Sequence, residues 1–209
     1  MQILALDGSP QAGSLVSSCL ARLAPGLEAR GHRFRILALR EREVFPCRGC
    51  FQCWVKTPGE CRIRDGMPEV LRAVIGADLV LHASPLLMGF PSALLRRATE
   101  RHIPLIHPYL ALVEGECHHR ARYPRYPLLA LLLDPAGSDA EDLEIVERAY
   151  QRLALNFMSA LAFLATTAAT PEEICHAVDG VQRFAPRRQR QHSVAAAALP
   201  RGLRVGAGA

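Results

Sequence analysis

The sequence is nearly devoid of lysine and has few aromatic residues. Lys56 is the single lysine among 25 lysine and arginine residues, and phenylalanine, tyrosine and tryptophan together make up 6% of the chain. The net charge of +5 therefore comes almost wholly from arginine, and the arginines are dispersed along the chain. Because nucleic-acid-binding domains gather basic residues on one face, often beside stacking aromatics, we expect no nucleic-acid partner.

Export and membrane signals are also missing. The start, Met1–Leu6, is a short apolar run without a basic n-region, and it leads straight into a glycine turn. The longest uncharged stretch, Leu153–Pro171, approaches membrane-spanning length, but several polar residues interrupt it. The seven cysteines are odd in number, which argues against a disulfide framework. We therefore expect a cytoplasmic protein with reduced thiols and no membrane-spanning segment.

Five short apolar runs separated by helical patterns predict buried strands. These runs are Gln2–Asp7, Arg33–Leu39, Ala77–Ala83, Leu128–Leu133 and Ala160–Ala165. Helices are predicted over Ser14–Ala29, over Met67–Gly76, from Pro91 onward, from the capping pair Ser138 and Glu141 to about Phe157, and from Thr170, Pro171 and Glu173 to about Gly180. Two segments, Arg40–Gly66 and His102–Pro127, show no period and are predicted to be irregular.

Buried strands that alternate with helices predict an α/β fold with a doubly wound parallel sheet. The alternation covers residues 1–180, which we interpret as one domain. Residues 181–209 are rich in arginine, alanine and glycine without apolar periodicity, and we interpret them as a mobile tail. Because ligands bind at the carboxyl ends of the strands in such sheets, the loops after the first, third and fourth strands are the candidate functional sites.

The first of these loops, Gly8–Ser14, joins a strand to a helix. Hydroxyl groups and unpaired backbone N–H groups at a helix start can bind a phosphate. The loop lacks the lysine of an ATPase P-loop and the spacing of the dinucleotide-binding glycine motif. A glycine turn with a serine N-cap is the alternative interpretation. The loop after the third strand, Ser84–Pro91, is apolar and could lie against a flat ring system, or could simply pack in the core.

Four cysteines stand close together in the predicted irregular segment, as Cys47-x2-Cys50-x2-Cys53-x7-Cys61. Three thiols at intervals of three, with a fourth close behind, can converge on one centre. Thiolates bind both iron–sulfur clusters and zinc, but structural zinc sites usually space two CxxC pairs further apart. A cluster, zinc, and free or redox-active thiols all remain open.

The combination of a Gly-Ser-Pro loop after strand one with a Ser-Pro loop after strand three resembles the NAD(P)H-dependent FMN reductase family of flavodoxin-like proteins. The resemblance covers roughly Met1–Gly180, and it implies a five-stranded parallel sheet of order 2-1-3-4-5 with helices on both faces. It implies that the FMN phosphate is surrounded by Ser9, Gln11, Ser14 and Ser17. It implies that the flavin ring is contacted by Pro85, Leu86, Leu87, Met88 and Gly89, and bordered by the loop from Asp134 through Gly137 to Ser138. The sequence departs from the family at Gln11, where arginine is frequent, and at Leu87, where an aromatic residue is frequent.

The cysteine spacing is similar to that of the iron–sulfur flavoproteins within the same family. That resemblance implies a [4Fe–4S] cluster held by Cys47, Cys50, Cys53 and Cys61 that passes electrons to FMN. The resemblance also implies a homodimer or homotetramer.

Two functions follow from these resemblances. The preferred one is an enzyme in which FMN takes hydride from NADH or NADPH and reduces a quinone, flavin or other small acceptor; we assign no catalytic side chain. The alternative is an electron carrier that relays electrons between a ferredoxin-like partner and FMN.

The cluster Cys117, His118 and His119 has metal-capable side chains, but neighbouring residues do not share a face of a strand or helix. Subunit contacts or a pocket wall are the alternatives there, and His118 or His119 is a candidate proton donor.

Overall fold

The computed structural model describes residues 1–113 and 115–182. The predicted tail, 181–209, lies outside the described residues except for its first two positions, which continue the last helix. The strands are β1 (Gln2–Asp7), β2 (Arg33–Ala38), β3 (Leu79–Leu87), β4 (Phe90–Pro91), β5 (Ile106–Val113), β6 (Glu116–Ala121), β7 (Leu128–Asp134) and β8 (Leu161–Thr166). The helices are α1 (Leu15–Ala29), α2 (Gln52–Val55), α3 (Met67–Gly76), α4 (Ala93–Glu100), α5 (Ala140–Asn156) and α6 (Pro171–Gln182), with short 3₁₀ turns at Leu39–Glu41 and Ile103–Leu105.

The central sheet has the order β2-β1-β3-β7-β8, and these five strands are parallel. Since β7 and β8 are the fourth and fifth of its parallel strands along the chain, the predicted order 2-1-3-4-5 is confirmed; the short β4 pairs antiparallel with the end of β3. Alternate residues of β1 face opposite sides, so that Ile3 packs with α1 and α6, whereas Leu4 packs with α3 and α4. The inner strands are apolar on both faces because helices cover both sides. Among the described residues, no helix is long and apolar enough to cross a membrane.

The third strand is longer than predicted. It continues through Ser84 and Pro85 to Leu87 and turns back into β4, so most of the predicted loop is an antiparallel hairpin. Met88 and Gly89 form its tip with φ angles of 54° and 75°, the left-handed backbone that tight hairpins require. The prediction of a helix beginning at Pro91 was wrong as well. Pro91 belongs to β4. Helix α4 starts two residues later, at Ala93, because the Ser92 side chain caps it by accepting from the Leu95 N–H.

The segment predicted to be irregular between residues 102 and 127 contains the antiparallel hairpin β5–β6. Its many prolines hide the alternation of a strand, and the pairing shifts register between Ile106 and Leu110. The predicted cap of α5 also moves by one position. Asp139 and Asp142 form the capping box instead of Ser138 and Glu141, whereas the predicted bond between Thr170 and Glu173 at the start of α6 is present. The other segment without a period, Arg40–Gly66, holds the end of the 3₁₀ turn Leu39–Glu41 and the short α2.

Candidate active site

The loop after β1 lies tightly on its neighbours at the carboxyl edge of the sheet. The Gly8 N–H donates to the Ala83 carbonyl of β3 at 2.8 Å, and the Ser92 hydroxyl donates to the Gly8 carbonyl. A Cβ atom at Gly8 would lie only 2.7 Å from the Leu95 Cβ. The loop therefore approaches β3 and α4 as closely as it does because residue 8 is glycine.

The serines predicted to surround a phosphate lie at this loop and at the start of α1. Ser14 caps α1 by accepting from the Ser17 N–H at 3.1 Å, and its hydroxyl donates to the Ser17 hydroxyl at 3.0 Å. Ser9 is buried, yet its Oγ has no hydrogen-bond partner among the described residues. Gln11 is exposed at the rim. A buried hydroxyl without a partner is costly, so the loop has unused hydrogen-bonding capacity that suits a phosphate.

A buried carboxylate beneath the loop escaped the sequence analysis. Asp7 is 1% exposed and accepts from the Ser9 N–H at 2.9 Å, the Ser17 hydroxyl at 2.7 Å and the Arg40 guanidinium at 2.6 Å. Burial acts to raise the pKa of Asp7, but the hydrogen bonds from Ser17 and Arg40 outweigh it and hold the pKa below its usual value. Because Arg40 compensates this charge, the loop does not repel an anion. No local sequence signal marks this pair; it follows from the register of β1 and β2, which pairs Asp7 with Ala38, two residues before Arg40.

The β3–β4 hairpin places an apolar tip at the same edge. Leu86 is buried, whereas Leu87 and Met88 are 52% and 100% exposed. Gly89 is held against α5, since a Cβ there would lie 2.7 Å from an Asp142 carboxylate oxygen. The tip thus presents two large apolar side chains to solvent, beside the Asp142 side chain at the start of α5.

An open groove of about 600 Å³ runs from this tip along α4. Its lining is Leu87, Met88, Phe90, Pro91, Ala93, Arg96, Arg97 and Glu100. Apolar residues form one end of the groove and charged residues the other. Arg96 also lies over the Phe90 ring, 5.9 Å from its centroid.

The third loop lies beside the hairpin, because Asp134 at the end of β7 pairs with Pro85 of β3. The Asp134 carboxylate accepts from the Ala136 N–H at 3.3 Å. Ala136 and Gly137 have positive φ angles of 50° and 92° and are exposed. The structure thus brings the three predicted loops to adjacent strands at one edge of the sheet.

The four cysteines of the segment are free thiols, with Cys50 exposed and the other three partly buried. Burial raises the pKa of the Cys53 thiol, and the charges of Cys61, Cys47 and Cys50 raise it further. In the described ranges, however, no three histidine, cysteine or acidic side chains converge on a common point as metal ligands do.

Trp54 anchors this segment to the neighbouring turn and hairpin. The Trp54 indole N–H donates to the carbonyls of Ile103 and Ile106, both at 3.0 Å. Its ring stacks on Phe51, with centroids 5.3 Å apart, and lies 5.0 Å from the His119 ring. The cysteine segment is therefore docked on the turn that precedes β5.

The two neighbouring histidines of β6 have different surroundings. His118 is buried and bonds to Asn156 at 3.2 Å and to Glu116 at 3.0 Å. His119 lies beside Trp54 instead. Within the described part of the chain, Cys117, His118 and His119 form no group that could hold a metal.

Residues 1–113 match the family described as NADPH-dependent FMN reductase. The chain belongs to this family. Its curated relatives include an iron–sulfur flavoprotein of Methanocaldococcus jannaschii, 29% identical over 105 residues, which covers 50% of this chain and 53% of the relative. An iron–sulfur flavoprotein of Methanosarcina thermophila is 28% identical over 112 residues, 54% of this chain and 58% of the relative. The match thus spans about half the length of the curated relatives.

Solved structures share the fold over most of the chain. A quinone reductase candidate from Klebsiella pneumoniae has a TM-score of 0.60 at 14% identity and covers 92% of this chain and 90% of that one. An FMN-dependent NADH-azoreductase from Bacillus anthracis, solved in complex with FMN, has a TM-score of 0.54 at 12% identity, with coverages of 88% and 99%. At such identities the likeness shows the flavodoxin-like fold alone.

Proposed function

We propose that this protein binds FMN at the carboxyl edge of β1, β3 and β7 and is an NAD(P)H-dependent oxidoreductase. The observation that carries the proposal is the meeting of three loops at this edge, in a chain whose first 113 residues match the FMN reductase family. One loop offers polar groups for a phosphate, and the next offers an apolar, backbone-rich surface for a ring.

The phosphate end is formed by Ser9, Gln11, Ser14 and Ser17. The unpartnered Ser9 Oγ and the N-terminus of α1 are the features that fit an anion best. Arg40 supports the site from below, because it neutralises Asp7. The serines bind by hydrogen bonds to phosphate oxygens, which are stronger than bonds to neutral groups.

The ring end is formed by the hairpin residues Pro85, Leu86, Leu87, Met88 and Gly89, bordered by Asp134 and Gly137. Flavin, when bound, supplies the hydride and electron chemistry, and the protein supplies position and surroundings. Leu87 and Met88 cover apolar ring surface and exclude water. The left-handed backbone at Met88 and Gly89 sets where backbone N–H and C=O groups meet the ring edge.

The groove along α4 is where we place the nicotinamide cofactor and the acceptor in turn. Its apolar end shares Leu87 and Met88 with the ring site, and Arg96 and Arg97 at the other end suit the phosphates of NADH or NADPH. The acceptor is a quinone, flavin or other small molecule. We propose further that the protein is cytoplasmic. We also propose that it is a homodimer or homotetramer, since Tyr109, Leu110 and Leu112 of the β5–β6 hairpin are more than half exposed.

The direct test is steady-state oxidation of NADH and NADPH by the FMN-loaded protein with a quinone as acceptor. Oxidation that depends on both FMN and quinone supports the proposal. A protein that binds FMN but oxidises neither nicotinamide cofactor would contradict it.

A second candidate function is an iron–sulfur flavoprotein that carries electrons between a ferredoxin-like donor and FMN. Two observations favour it: four free thiols in one segment influence one another, and the curated relatives described above are iron–sulfur flavoproteins. Cys47, Cys50, Cys53 and Cys61 are the ligands in this proposal, and their donor chemistry suits an iron–sulfur cluster. Iron and acid-labile sulfide in anaerobically purified protein, together with FMN reduction by reduced ferredoxin without NADPH, test it.

A further inference from the structure

Two buried serines lie between the two halves of the proposed flavin site, the loop Gly8–Ser14 (the phosphate loop) and the hairpin segment Pro85–Gly89 (the ring hairpin). Ser84 belongs to the last part of β3, and Ser92 follows β4 directly. Their exposed fractions are 0% and 1%. Because water does not reach them, both hydroxyl groups need hydrogen-bond partners within the protein.

The Ser92 hydroxyl is bonded to the phosphate loop. It accepts from the Leu95 N–H at 3.3 Å and donates to the Gly8 carbonyl. The directions of these bonds are fixed, because an N–H group can only donate and a carbonyl oxygen can only accept. A Cβ atom at Gly8 would lie 3.1 Å from Ser92 Oγ, so the loop backbone approaches this hydroxyl closely.

The Ser84 hydroxyl continues the same path of hydrogen bonds into the ring hairpin. It accepts from the Ser92 backbone N–H at 2.9 Å and donates to the Pro85 carbonyl at 2.8 Å. The fixed directions of the backbone groups again decide where the hydroxyl proton goes. A continuous path of hydrogen bonds thus joins the Gly8 carbonyl, at the start of the phosphate loop, to the Pro85 carbonyl, at the start of the ring hairpin.

This path does more than cap a helix. An N-cap requires only that the Ser92 hydroxyl accept a hydrogen bond from the first turn of α4. The donation to Gly8 and the bond from the Ser92 N–H to Ser84 are additional to the cap. The Gly8 N–H also donates to the Ala83 carbonyl at 2.8 Å, so both backbone groups of Gly8 are bonded to the neighbourhood of the ring hairpin.

FMN has two separated ends, a phosphate and a ring, joined by a ribityl chain of limited length. A ligand of this kind gains affinity over its separate parts only if both subsites stand at a spacing that the connecting chain can span. The phosphate loop carries one proposed subsite and the ring hairpin carries the other. The spacing of these two segments therefore decides how much affinity FMN gains from the connection.

We propose that Ser92, together with Ser84, is a positioning residue of the flavin site that holds the phosphate loop and the ring hairpin at the spacing FMN requires. The inference rests on the proposed FMN site. Both serines act through the backbone carbonyls of Gly8 and Pro85. Loss of the Ser92 hydroxyl leaves each subsite in place and loosens one against the other.

The test measures the binding of three ligands to Ser92→Ala: FMN, riboflavin, which lacks the phosphate, and inorganic phosphate alone. Flavin fluorescence reports the first two, and the rise in unfolding temperature reports phosphate. Thr170→Ala is the matched control, because Thr170 caps α6 by accepting from the Glu173 N–H at 3.3 Å. Among the described residues the Thr170 hydroxyl bonds only to Glu173, so this variant loses a helix cap alone.

Ser84→Ala is the second variant, because Ser84 caps no helix. It removes the acceptor of the Ser92 N–H and the donor to the Pro85 carbonyl, while the cap of α4 stays. Circular dichroism shows whether each variant is folded. Ser84→Ala carries the test if Ser92→Ala does not fold.

We expect FMN affinity to fall by about 10- to 100-fold in the serine variants, a part of the roughly 10²–10⁴-fold advantage that linking two subsites gives. The affinities for riboflavin and for inorganic phosphate should stay close to those of the wild type, since each of these ligands uses one subsite only. Thr170→Ala should bind all three ligands as the wild type does.

Wild-type FMN affinity in the folded serine variants overturns the proposal and leaves the proposed function untouched. Equal losses for FMN and riboflavin overturn it as well, because they indicate a general structural role. If the FMN-loaded wild type oxidises neither NADH nor NADPH while the serine variants lose FMN selectively, the oxidoreductase function fails and the positioning role stands. A wild type that binds no FMN overturns both.

Discussion

Asp7 and Arg40 form an ion pair of 2.6 Å, between Asp7 Oδ2 and Arg40 Nη1, directly beneath the candidate phosphate loop. The pair lies at the carboxyl edge of two neighbouring parallel strands, and the Asp7 side chain is 2% exposed. The Ser17 hydroxyl, part of the proposed phosphate site, donates to the same carboxylate. Stability and anion binding at this edge should therefore be linked.

The first prediction concerns this pair. Arg40→Gln leaves a buried carboxylate without its cation, so the free energy of unfolding should fall by about 3 kcal/mol, and FMN affinity should fall with it. Urea unfolding and flavin-fluorescence titration measure the two effects. The double variant Asp7→Asn/Arg40→Gln should recover part of the stability, because it removes the unpaired charge. If Arg40→Gln were as stable as the wild type, the Asp7–Arg40 pair would not link stability to anion binding.

The second prediction separates phosphate binding from ring binding. Ser14→Ala removes the cap of α1, at a cost of about 1 kcal/mol in stability, and one hydroxyl of the proposed phosphate site. FMN affinity should fall about tenfold or more, as expected for a hydrogen bond to a charged group, while riboflavin affinity should change little. Ser18→Ala, at an exposed serine of the same helix, is the control. If Ser14→Ala lost affinity equally for FMN and riboflavin, the phosphate would not bind at the start of α1.

The third prediction tests the hairpin tip with two glycines of similar backbone. Gly89 and Gly31 have φ angles of 75° and 77°, but a Cβ at Gly89 would collide with Asp142, whereas a Cβ at Gly31 meets nothing within 4 Å. Both alanine variants should lose about 1–2 kcal/mol through the left-handed backbone. Only Gly89→Ala should also push the Asp142 side chain away from the tip, weaken FMN binding and shift the bound-flavin spectrum. A wild-type spectrum in Gly89→Ala would argue against ring contact at this hairpin.

The fourth prediction concerns acid stability. His82 and His102 are buried with ring centroids 6.2 Å apart, and burial lowers their pKa values to about 3 and about 4. The unfolded chain binds protons at these rings first, near an ordinary pKa of about 6.5. Their contribution to stability is therefore complete above about pH 6.5 and is lost as the pH falls towards 4 and 3.

His82→Leu should consequently flatten the decline of unfolding free energy between about pH 6.5 and 4. His176→Gln, at an exposed histidine of α6, should leave the decline unchanged. Urea unfolding at a series of pH values provides the comparison. An equally steep acid limb in His82→Leu would mean that other groups cause it.

The strands and the edge where the site lies could be predicted from the sequence because their signals are local. A continuous apolar run such as Gln2–Asp7 marks a strand covered on both faces, and the strand bounds agree exactly there. The β5–β6 hairpin could not be predicted, because several of its large apolar residues are exposed and Pro108 interrupts the pattern of β5. A related limit explains why β3 was predicted to end too early, since its last residues include Pro85 and the exposed Leu87.

The pairs that support the site depend on tertiary structure. Asp65 and Arg101 are separated by 36 positions, and no local pattern links a residue before α3 with one after α4. Asp7 and Arg40 were within reach of prediction only once the register of β1 and β2 was known. The loops were therefore predictable, whereas the charges beneath and beside them were not.

The most direct measurement is an anaerobic titration of the FMN-loaded protein with NADPH and, separately, NADH, following the visible absorbance of the flavin. The account predicts that at least one of the two bleaches the flavin, and that Gly89→Ala diminishes the bound fraction that responds. Flavin that binds at these loops but stays oxidised with both cofactors, or a protein that binds no FMN at all, would contradict it.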